Sequence, residues 1–258
     1  MQTTLEQHLR DLKHLPRPLY GQTEALPNKV LGYRHSHPWV QFSYAIGGVL
    51  EVLTAQGRFI APPQRAVWIP AGVKHRVQCS AHTQIRSLYL DKQVLANAPS
   101  RCQVVEVSPL LKELIRAFGE LPVEYDEQGA EGRLANVLLD QLTHAPDMGM
   151  MLPLPADKRL QKITTQLQKH PDATDTLNQW AHRLQVSEKT LSRLFIQQTG
   201  LTFRLWRQRL RLLSALPLLE QKQTVTEVAL ACGYESTSAF IAAFGEHFGS
   251  TPGEFFKA

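Results

Sequence analysis

Three histidines and a glutamine in the N-terminal half have the residue types and the spacing of a ligand-binding or metal-binding site. His35 and His37 are separated by one residue, Gln41 follows four residues later, and His75 ends the sequence PAGVKH. Side chains alternate between the two faces of an extended strand, so His35, His37 and Gln41 are expected on one face. The spacing therefore predicts that three imidazoles and an amide converge inside a β-structure.

Three interpretations of this group are open. Imidazole is a frequent metal ligand, which favours a divalent ion held by the four side chains. The amide oxygen of Gln41 is a weaker ligand for such an ion than a carboxylate, which favours a pocket in which the same residues bind a small-molecule effector by hydrogen bonds. In the third interpretation the histidines are satisfied core residues. Trp39, Tyr44 and Trp68 are close in sequence and are more typical of a core than of a pocket wall.

Short β-strands are expected to position these residues. Six segments between residues 40 and 90 are rich in β-branched and aromatic residues and are separated by Gly or Pro: VQFSYAI, VLEVLT, GRFIA, RAVWIP, HRVQC and QIRSLYL. This spacing is typical of a sandwich or a closed barrel. Two helices are predicted next, over 108–118 and about 131–142. The second places Leu134, Val137, Leu138 and Leu142 on one stripe, which suits packing on its own barrel and dimerisation equally well.

The C-terminal part contains one helical pattern twice. Four positions of a first helix recur 48 residues later: Leu177, Trp180, Ala181 and Leu184 as Val225, Val228, Ala229 and Cys232. Four positions beyond the turn recur 49 residues later: Ser187, Leu191, Phe195 and Gly200 as Ser236, Phe240, Phe244 and Gly249. Two helices with a tight turn indicate a helix-turn-helix, and a repeat of the unit is much more specific than one copy. Pro217 is expected to kink or end the helix predicted between the copies, over about 203–221.

The charge of the chain is unevenly distributed. The 258 residues have a net charge of +5, with 43% hydrophobic and 20% charged residues, as in an ordinary globular protein. Residues 1–156 contain 15 Lys/Arg and 14 Asp/Glu, net +1, whereas residues 157–258 contain 13 and 9, net +4. The asymmetry indicates an anionic partner for the C-terminal part. Three widely spaced cysteines and no apolar run of about 20 residues favour a reduced, cytoplasmic protein without a membrane span.

With its repeated units, the sequence resembles the AraC/XylS family of bacterial transcription regulators. The residues that carry the resemblance are VSEKTLSRLFIQQTGLTFRLWRQRLRLL and VTEVALACGYESTSAFIAAFGEHFGSTPGEFF, within about 157–257. The resemblance implies DNA binding by two recognition helices, 187–199 and 236–248, in successive major-groove segments. On the first helix, the face opposite the apolar stripe has four side chains that suit bases or phosphates: Lys189, Ser192, Arg193 and Gln197.

The second recognition helix departs from the family pattern. Its candidate DNA contacts are Ser236, Thr237 and Ser238, and no Lys or Arg is present where one is common. The first helix is therefore expected to dominate the choice of sequence. Four arginines of the connecting helix are candidates either for phosphate contact or for holding the two units together: Arg204, Arg207, Arg209 and Arg211.

The histidine region resembles a cupin, whose two motifs are H-x-H with an acidic residue and a Gly, and then P-x-G-x-x-H. Gln41 stands where the cupin pattern usually has Glu. The resemblance implies an effector-binding or metal-binding barrel formed by residues 30–90. A cupin with three histidines is also compatible with a metal-dependent enzyme, but the acidic ligand is missing and the sequence offers no general base beyond the histidines.

Together these observations predict an α+β protein, an N-terminal cupin-like β-barrel followed by an all-α double helix-turn-helix domain. We expect an effector-sensing barrel at 1–100, a helical dimerisation or linker segment at 101–150 and a DNA-binding domain at 151–258. The predicted function is regulation of transcription in response to a small-molecule effector, without enzymatic activity. Double-stranded DNA, the effector, a second copy of the chain and, for an activator, RNA polymerase are the expected partners. A metal-dependent cupin enzyme fused to the DNA-binding domain and a constitutive DNA binder are the alternatives.

Overall fold

The computed structural model describes residue 12 and the ranges 14–22, 32–79, 83–95 and 98–256. The chain divides into two compact units between Met151 and Leu152, and the short segment Ala55–Arg58 belongs to the second unit. The first unit contains most of the strands and the second is mainly helical, which confirms the α+β fold class. Among the described residues, no helix combines the length and apolar character needed to cross a membrane.

The described residues form nine strands in two sheets. They are β1 (Leu19–Tyr20), β2 (Val40–Gly47), β3 (Leu50–Thr54), β4 (Gly57–Ala61), β5 (Arg65–Ile69), β6 (His75–Cys79), β7 (Gln84–Leu90), β8 (Gln103–Glu106) and β9 (Met151–Pro153). One sheet has the order β1-β7-β2-β5-β8 and the other β6-β3-β4-β9. The six strands predicted between residues 40 and 90 are confirmed as β2 to β7. β2 lies at the centre of the larger sheet, with Gln41 opposite Ile69 on β5 and Tyr89 on β7.

The two faces of β2 have different environments. Val40, Phe42 and Tyr44 belong to a core that includes residues of α1 (Pro109–Gly119) and α2 (Ala130–His144). Gln41 and Ser43 alternate with them along the strand and are therefore on the opposite face. Alternation thus separates an apolar face under the helices from a face with polar side chains.

α2 packs against the sheet of its own unit. Leu138 and Leu142 are buried in the core and Leu134 packs against it, as the predicted stripe requires. Val137 was wrongly assigned to that stripe, because Ala135 occupies the buried position on this turn and Val137 is 47% exposed.

The second unit contains six helices among the described residues. They are α3 (Lys158–Lys169), α4 (Leu177–Leu184), α5 (Glu188–Thr199), α6 (Phe203–Glu220), α7 (Val225–Ala231) and α8 (Thr237–Phe248). α6 continues for three residues beyond Pro217, so the proline does not end the helix where it stands. The segment before α3 is fixed to this unit, since Trp206 Nε1 donates a hydrogen bond to the Pro153 carbonyl (2.7 Å) and the Ala156 N–H to Gln198 Oε1 (3.1 Å).

The helix ends repeat as closely as the apolar positions do. Thr176 and Thr224 begin α4 and α7 with capping boxes, in which each threonine side chain accepts from the third helical N–H and a Gln or Glu side chain accepts from the threonine N–H. Ser187 and Ser236 are the N-caps of α5 and α8, as predicted for Ser187. The sequence repeat is therefore confirmed as a structural repeat of helix, turn and helix.

Candidate effector site and DNA-binding surface

The three histidines are brought together by backbone hydrogen bonds. The N–H of His35 donates to the His75 carbonyl (2.9 Å), and the N–H of His75 donates to the His35 carbonyl (2.8 Å). The Gly72 N–H donates to the His37 carbonyl (2.8 Å), and Gly72 has a φ of +76°, which favours glycine. The PAGVKH sequence therefore turns back along the H-x-H segment, and one ring nitrogen of each histidine lies within 4.8 Å of those of the other two.

A backbone carbonyl fixes the tautomer of each ring. The Nδ1 atoms of His35, His37 and His75 contact the carbonyl oxygens of Tyr33 (3.1 Å), Trp39 (2.8 Å) and Val73 (2.9 Å). A carbonyl only accepts hydrogen bonds, so each Nδ1 is the protonated nitrogen and each Nε2 keeps a lone pair in the neutral ring. All three histidines can therefore act as ligands or acceptors through Nε2.

Burial keeps His37 and His75 neutral. It lowers the pKa of His75 to about 4, with a smaller contribution from the neighbouring His35 and His37. It also lowers the pKa of His37. The His75 side chain is 0% exposed, and its Nε2 has no hydrogen-bond partner among the described residues. A buried acceptor without a partner is costly, so this nitrogen is a candidate contact for a bound ligand or ion.

Gln41 is joined to the cluster through His37. The end of its amide lies 2.9 Å from His37 Nε2 and 2.8 Å from Ser43 Oγ, which lies 3.0 Å from Ser87 Oγ. Because His37 Nε2 is an acceptor in the neutral ring, the amide NH2 must face it and the amide oxygen must accept from Ser43. Gln41 therefore starts a polar chain along the face of β2 opposite the helical core.

Aromatic rings form one side of the cluster. Trp39 stacks on His37 with ring centroids 5.5 Å apart, and Tyr89 meets His37 edge-on at 5.6 Å. Tyr44 and Trp68 instead belong to the core beneath the helices. Sequence reasoning did not identify Ser43, Ser87 and Tyr89 as neighbours of the cluster, although alternation from Gln41 could have identified Ser43.

In the second unit, α5 presents the predicted polar face. Lys189, Arg193 and Gln197 are exposed, and Ser192 is half-buried. Leu191 and Phe195 are fully buried on the opposite side and fix the orientation of the helix. The exposed side chains recur at helical spacing, so a guanidinium, an ammonium and an amide project from one side of α5.

Of the polar residues at the start of α8, Ser236 and Thr237 make hydrogen bonds within the domain, and Ser238 is exposed to solvent. Ser236 accepts from the Ala239 N–H as the N-cap (3.2 Å), and Thr237 Oγ1 donates to Thr226 Oγ1 (3.4 Å). Ser238 is exposed on the first turn. Phe240 and Phe244 are fully buried beneath α8. α8 is thus seated like α5, but it has Ser238 and Ala242 where α5 has Lys189 and Arg193.

Both halves of the chain match known families. Residues 18–142 match the model of a family described as the AraC-like ligand binding domain, and residues 180–258 match that of a helix-turn-helix domain. The chain is 34% identical over 237 residues to the HTH-type transcriptional regulator NimR of Escherichia coli (strain K12), covering 92% of this chain and 85% of NimR. The chain belongs to the AraC family of transcription regulators. The predicted family, and the predicted combination of a ligand-binding domain with a DNA-binding domain, are thereby confirmed.

One further relative of this AraC-family regulator and one solved structure illustrate matches of smaller extent or lower identity. The HTH-type transcriptional regulator RipA of Corynebacterium glutamicum is 31% identical over 125 residues, which cover 46% of this chain and 38% of RipA. Among solved structures, ToxT from Vibrio cholerae O395 covers 92% of this chain and 95% of its own, with 11% identity and a TM-score of 0.39.

The arginines of α6 in this AraC-family regulator differ in their roles. Arg211 donates from Nε to the Pro171 carbonyl (3.0 Å) and from Nη2 to the Ala173 carbonyl (3.2 Å), and its guanidinium lies 6.0 Å from the centre of the Tyr234 ring. It therefore connects the loop before α4 with the turn after α7.

The other three arginines divide between packing and solvent. Arg207 donates to the Asp175 carbonyl (2.9 Å) and lies 5.1 Å from the centre of the Phe203 ring. Burial lowers the pKa of Arg209, whereas Arg204 is exposed. Of the two roles open to these arginines, holding the units together applies to Arg211, whereas the exposed Arg204 stays a candidate for phosphate contact.

Replacing Arg211 with alanine is expected to destabilise the second unit by about 2–4 kcal/mol, because two hydrogen bonds from a charged donor and a ring contact are lost. Arg204→Ala is the matched control, expected to change stability by less than about 0.5 kcal/mol because Arg204 is exposed. Urea unfolding measures the total effect, and hydrogen exchange in residues 170–176 reports the local loosening. Equal effects of the two substitutions would contradict the connecting role of Arg211.

Proposed function

We propose that this regulator selects its DNA sequence mainly through α5 and that a small-molecule effector bound at the histidine cluster changes its affinity for DNA. The exposed Lys189 and Arg193 on a rigidly seated helix are the observation that carries the DNA-binding part of the proposal. Arginine recognises guanine with two hydrogen bonds, and lysine binds guanine or a phosphate. Ser192 and Gln197 complete the base-reading surface, while Ser236, Thr237 and Ser238 contact phosphates near the second half-site.

The test is selection of bound fragments from genomic DNA by the purified full-length protein, followed by footprinting. We expect a few discrete sites, each with two half-sites about one helical turn apart. Uniform binding along the genome would contradict sequence-specific regulation. The genes beside the sites then suggest which compounds to test as effectors.

The observation that carries the effector site is the buried Nε2 of His75, which has no hydrogen-bond partner in the part of the chain that the structure describes. The site offers imidazole nitrogens from His35, His37 and His75 and the amide of Gln41, beside aromatic rings, which suits a small molecule with hydrogen-bond donors and an apolar face. The effector shifts DNA binding only if its affinity differs between the DNA-bound and the free state of the regulator.

A divalent metal is a second candidate ligand of the same site. His35, His37 and His75 would hold it through Nε2, with the Gln41 oxygen as a fourth ligand once the amide has turned from Ser43 and His37 toward the ion. Nitrogen ligands around tetrahedral zinc are about 3.4 Å apart, so nitrogens within 4.8 Å of one another need only a small inward movement to bind the ion. The backbone carbonyls on all three Nδ1 atoms are the kind of outer partners that orient metal-binding histidines.

His75→Ala is expected to abolish ligand or metal binding, because it removes the buried unpaired acceptor. The matched control is His144→Ala, which removes an exposed imidazole at the end of α2. For the metal, chelator-treated protein is titrated with Co²⁺ and followed by absorption. For an effector, a compound library is screened by thermal shift.

Co²⁺ bands that are present in wild type and His144→Ala but absent in His75→Ala support the metal. Library compounds that stabilise the same two proteins without added metal support direct binding. If neither probe distinguishes His75→Ala from His144→Ala, the histidine cluster is not the effector site.

The regulator is further proposed to act in the cytoplasm as a homodimer and, at promoters that it activates, to contact RNA polymerase. The dimer proposal is supported by aliphatic side chains that α1 and α2 leave in solvent, Leu110 at 56% and Val137 at 47% exposure. No enzymatic function is proposed, since the relatives that the chain matches are transcription regulators.

A further inference from the structure

The surfaces of the two recognition helices differ position by position. The offset of 49 pairs four outward positions: Lys189 with Ser238, Ser192 with Ile241, Arg193 with Ala242, and Gln197 with Glu246. The formal charge of the four side chains changes from +2 on α5 to −1 on α8. Both helices are anchored by two fully buried side chains at equivalent positions, Leu191 and Phe195 on α5 and Phe240 and Phe244 on α8. Both also begin at equivalent serine N-caps. The difference therefore lies in the chemistry of the surface and not in the way that the helices are held.

The middle of the α8 surface is aliphatic. Ile241 is 38% exposed, Ala242 is exposed beside it, and Ser238 lies one turn earlier on the same side. None of these side chains can make the paired hydrogen bonds by which arginine, asparagine or glutamine read a base. The C5-methyl of thymine is the apolar group in the major groove of unmodified DNA, so it is the feature that an aliphatic surface can distinguish.

The electrostatics of α8 also weaken binding through phosphates. Glu246 stands on the last turn, where α5 has the neutral Gln197, and a carboxylate repels the DNA backbone. The pair of Ile241 and Ala242 is too small for a stable protein interface, which needs about 800 Å² from each partner. Contact with methyl groups is therefore the specific interaction that this surface can contribute.

We infer that α8 recognises thymine methyl groups, so that the half-site under α8 is rich in thymine while the half-site under α5 contains guanine. This inference rests on the proposed function, in which both helices enter the major groove. It assigns Ile241 as the residue that determines specificity in the second half-site. Ile241 packs on the methyl group, while Ala242 leaves room for it.

The test changes single functional groups on the DNA bases. Full-length protein first selects its preferred duplex from a random library. Each thymine is then replaced with uracil, which lacks the methyl group, and each guanine with 7-deazaguanine, which lacks the N7 acceptor of an arginine contact. Guanines whose replacement lowers the affinity identify the half-site of α5. In the other half-site, each contacted thymine is expected to lose about fourfold in affinity as uracil, since burial of one methyl contributes about 0.8 kcal/mol.

Ile241→Ala tests whether Ile241 is the residue that distinguishes thymine from uracil. We expect it to reduce the thymine-to-uracil ratio at the contacted position to nearly one. Leu230→Ala is the matched control, because it removes an aliphatic side chain, 62% exposed, from α7 of the same helix-turn-helix. Since the measured quantity is a ratio between two duplexes, a general change in affinity does not imitate the effect. The control is expected to keep the full fourfold ratio.

The outcomes separate this inference from the proposed function. If no preferred duplex is selected, sequence-specific binding itself fails. If a duplex is selected but uracil binds as well as thymine throughout the half-site of α8, methyl recognition is overturned. If the ratio persists in Ile241→Ala, the assignment of Ile241 is overturned.

Discussion

Arg193→Ala is expected to remove guanine recognition by α5 and so to weaken sequence-specific DNA binding by this regulator. The exposed guanidinium is the best-placed group on α5 for two hydrogen bonds to one guanine, and such a pair contributes about 1–3 kcal/mol of discrimination. The second half-site cannot replace it, because the surface of α8 between Ser236 and Phe244 contains no cation. We expect the affinity for the preferred duplex to fall at least tenfold, towards that for unrelated DNA.

The control is Ala242→Ser, at the equivalent position of α8. It adds one hydroxyl to an exposed site and is expected to change affinity less than threefold, which corresponds to well under 1 kcal/mol. For both variants, fluorescence anisotropy at one fixed salt concentration measures the ratio of the affinity for the preferred duplex to the affinity for a scrambled duplex. A larger loss for Ala242→Ser than for Arg193→Ala would overturn the leading role of α5.

Gly233→Ala is expected to destabilise the second unit strongly. Gly233 has a φ of +76°, and an added Cβ would lie 2.7 Å from the Asp172 Cα and 2.7 Å from Arg211 Nη2. The strained φ costs about 1–2 kcal/mol, and overpacking against backbone costs about 1–3 kcal/mol more. The expected destabilisation is therefore about 2–5 kcal/mol.

Gly200→Ala separates the two causes. Gly200 ends α5 with a φ of +71°, but an added Cβ there would meet nothing within 4 Å. We expect this control to lose only the 1–2 kcal/mol of backbone strain, about the same as any L-residue forced to that φ. Denaturant unfolding of both variants measures the difference. Equal losses would show that close packing at Gly233 does not matter.

The repeated units were predictable because their signals are local. A threonine or serine cap, an apolar stripe and a terminal glycine act within one helix, so each copy contains its own evidence. The structure adds where the second copy has its extra residue. Gln185 and Gly233 are the residues with left-handed backbone after the first helix of each copy, and they are 48 residues apart. Ser187 and Ser236 are the N-caps of the second helix of each copy, and they are 49 residues apart. The insertion therefore lies between the left-handed residue and the cap.

The histidine cluster was only partly predictable. The spacing of His35, His37 and Gln41 indicated one face of a strand, and PAGVKH indicated a return to it. Which residues of β7 stand opposite β2 depends on strand register, which the spacing does not specify, so Ser87 and Tyr89 were missed. The carbonyls that fix the imidazole tautomers belong to Tyr33, Trp39 and Val73, and backbone acceptors have no residue type by which to recognise them.

The same limit applies to the arginines of α6. The sequence placed four cations on one helix and could not separate solvent contacts from packing contacts. Arg211 is distinguished by the carbonyls of Pro171 and Ala173, which lie 40 and 38 residues away along the chain. Such long-range partners follow from tertiary structure, in which backbone carbonyls hold Arg207 and Arg211 while Arg204 remains exposed.

The anchoring of the segment before α3 determines where the chain can be cut. The basic part of the sequence begins near residue 157, which makes that position the obvious start for a separate DNA-binding fragment. Such a fragment loses the Pro153 carbonyl that accepts from buried Trp206 and the Ala156 N–H that donates to Gln198. A fragment that begins at Leu152 keeps both. The shorter fragment would bury an indole N–H without an acceptor, which is destabilising. Poor expression or weak DNA binding by that fragment would therefore result from the loss of the segment before α3 and not from a defective recognition helix.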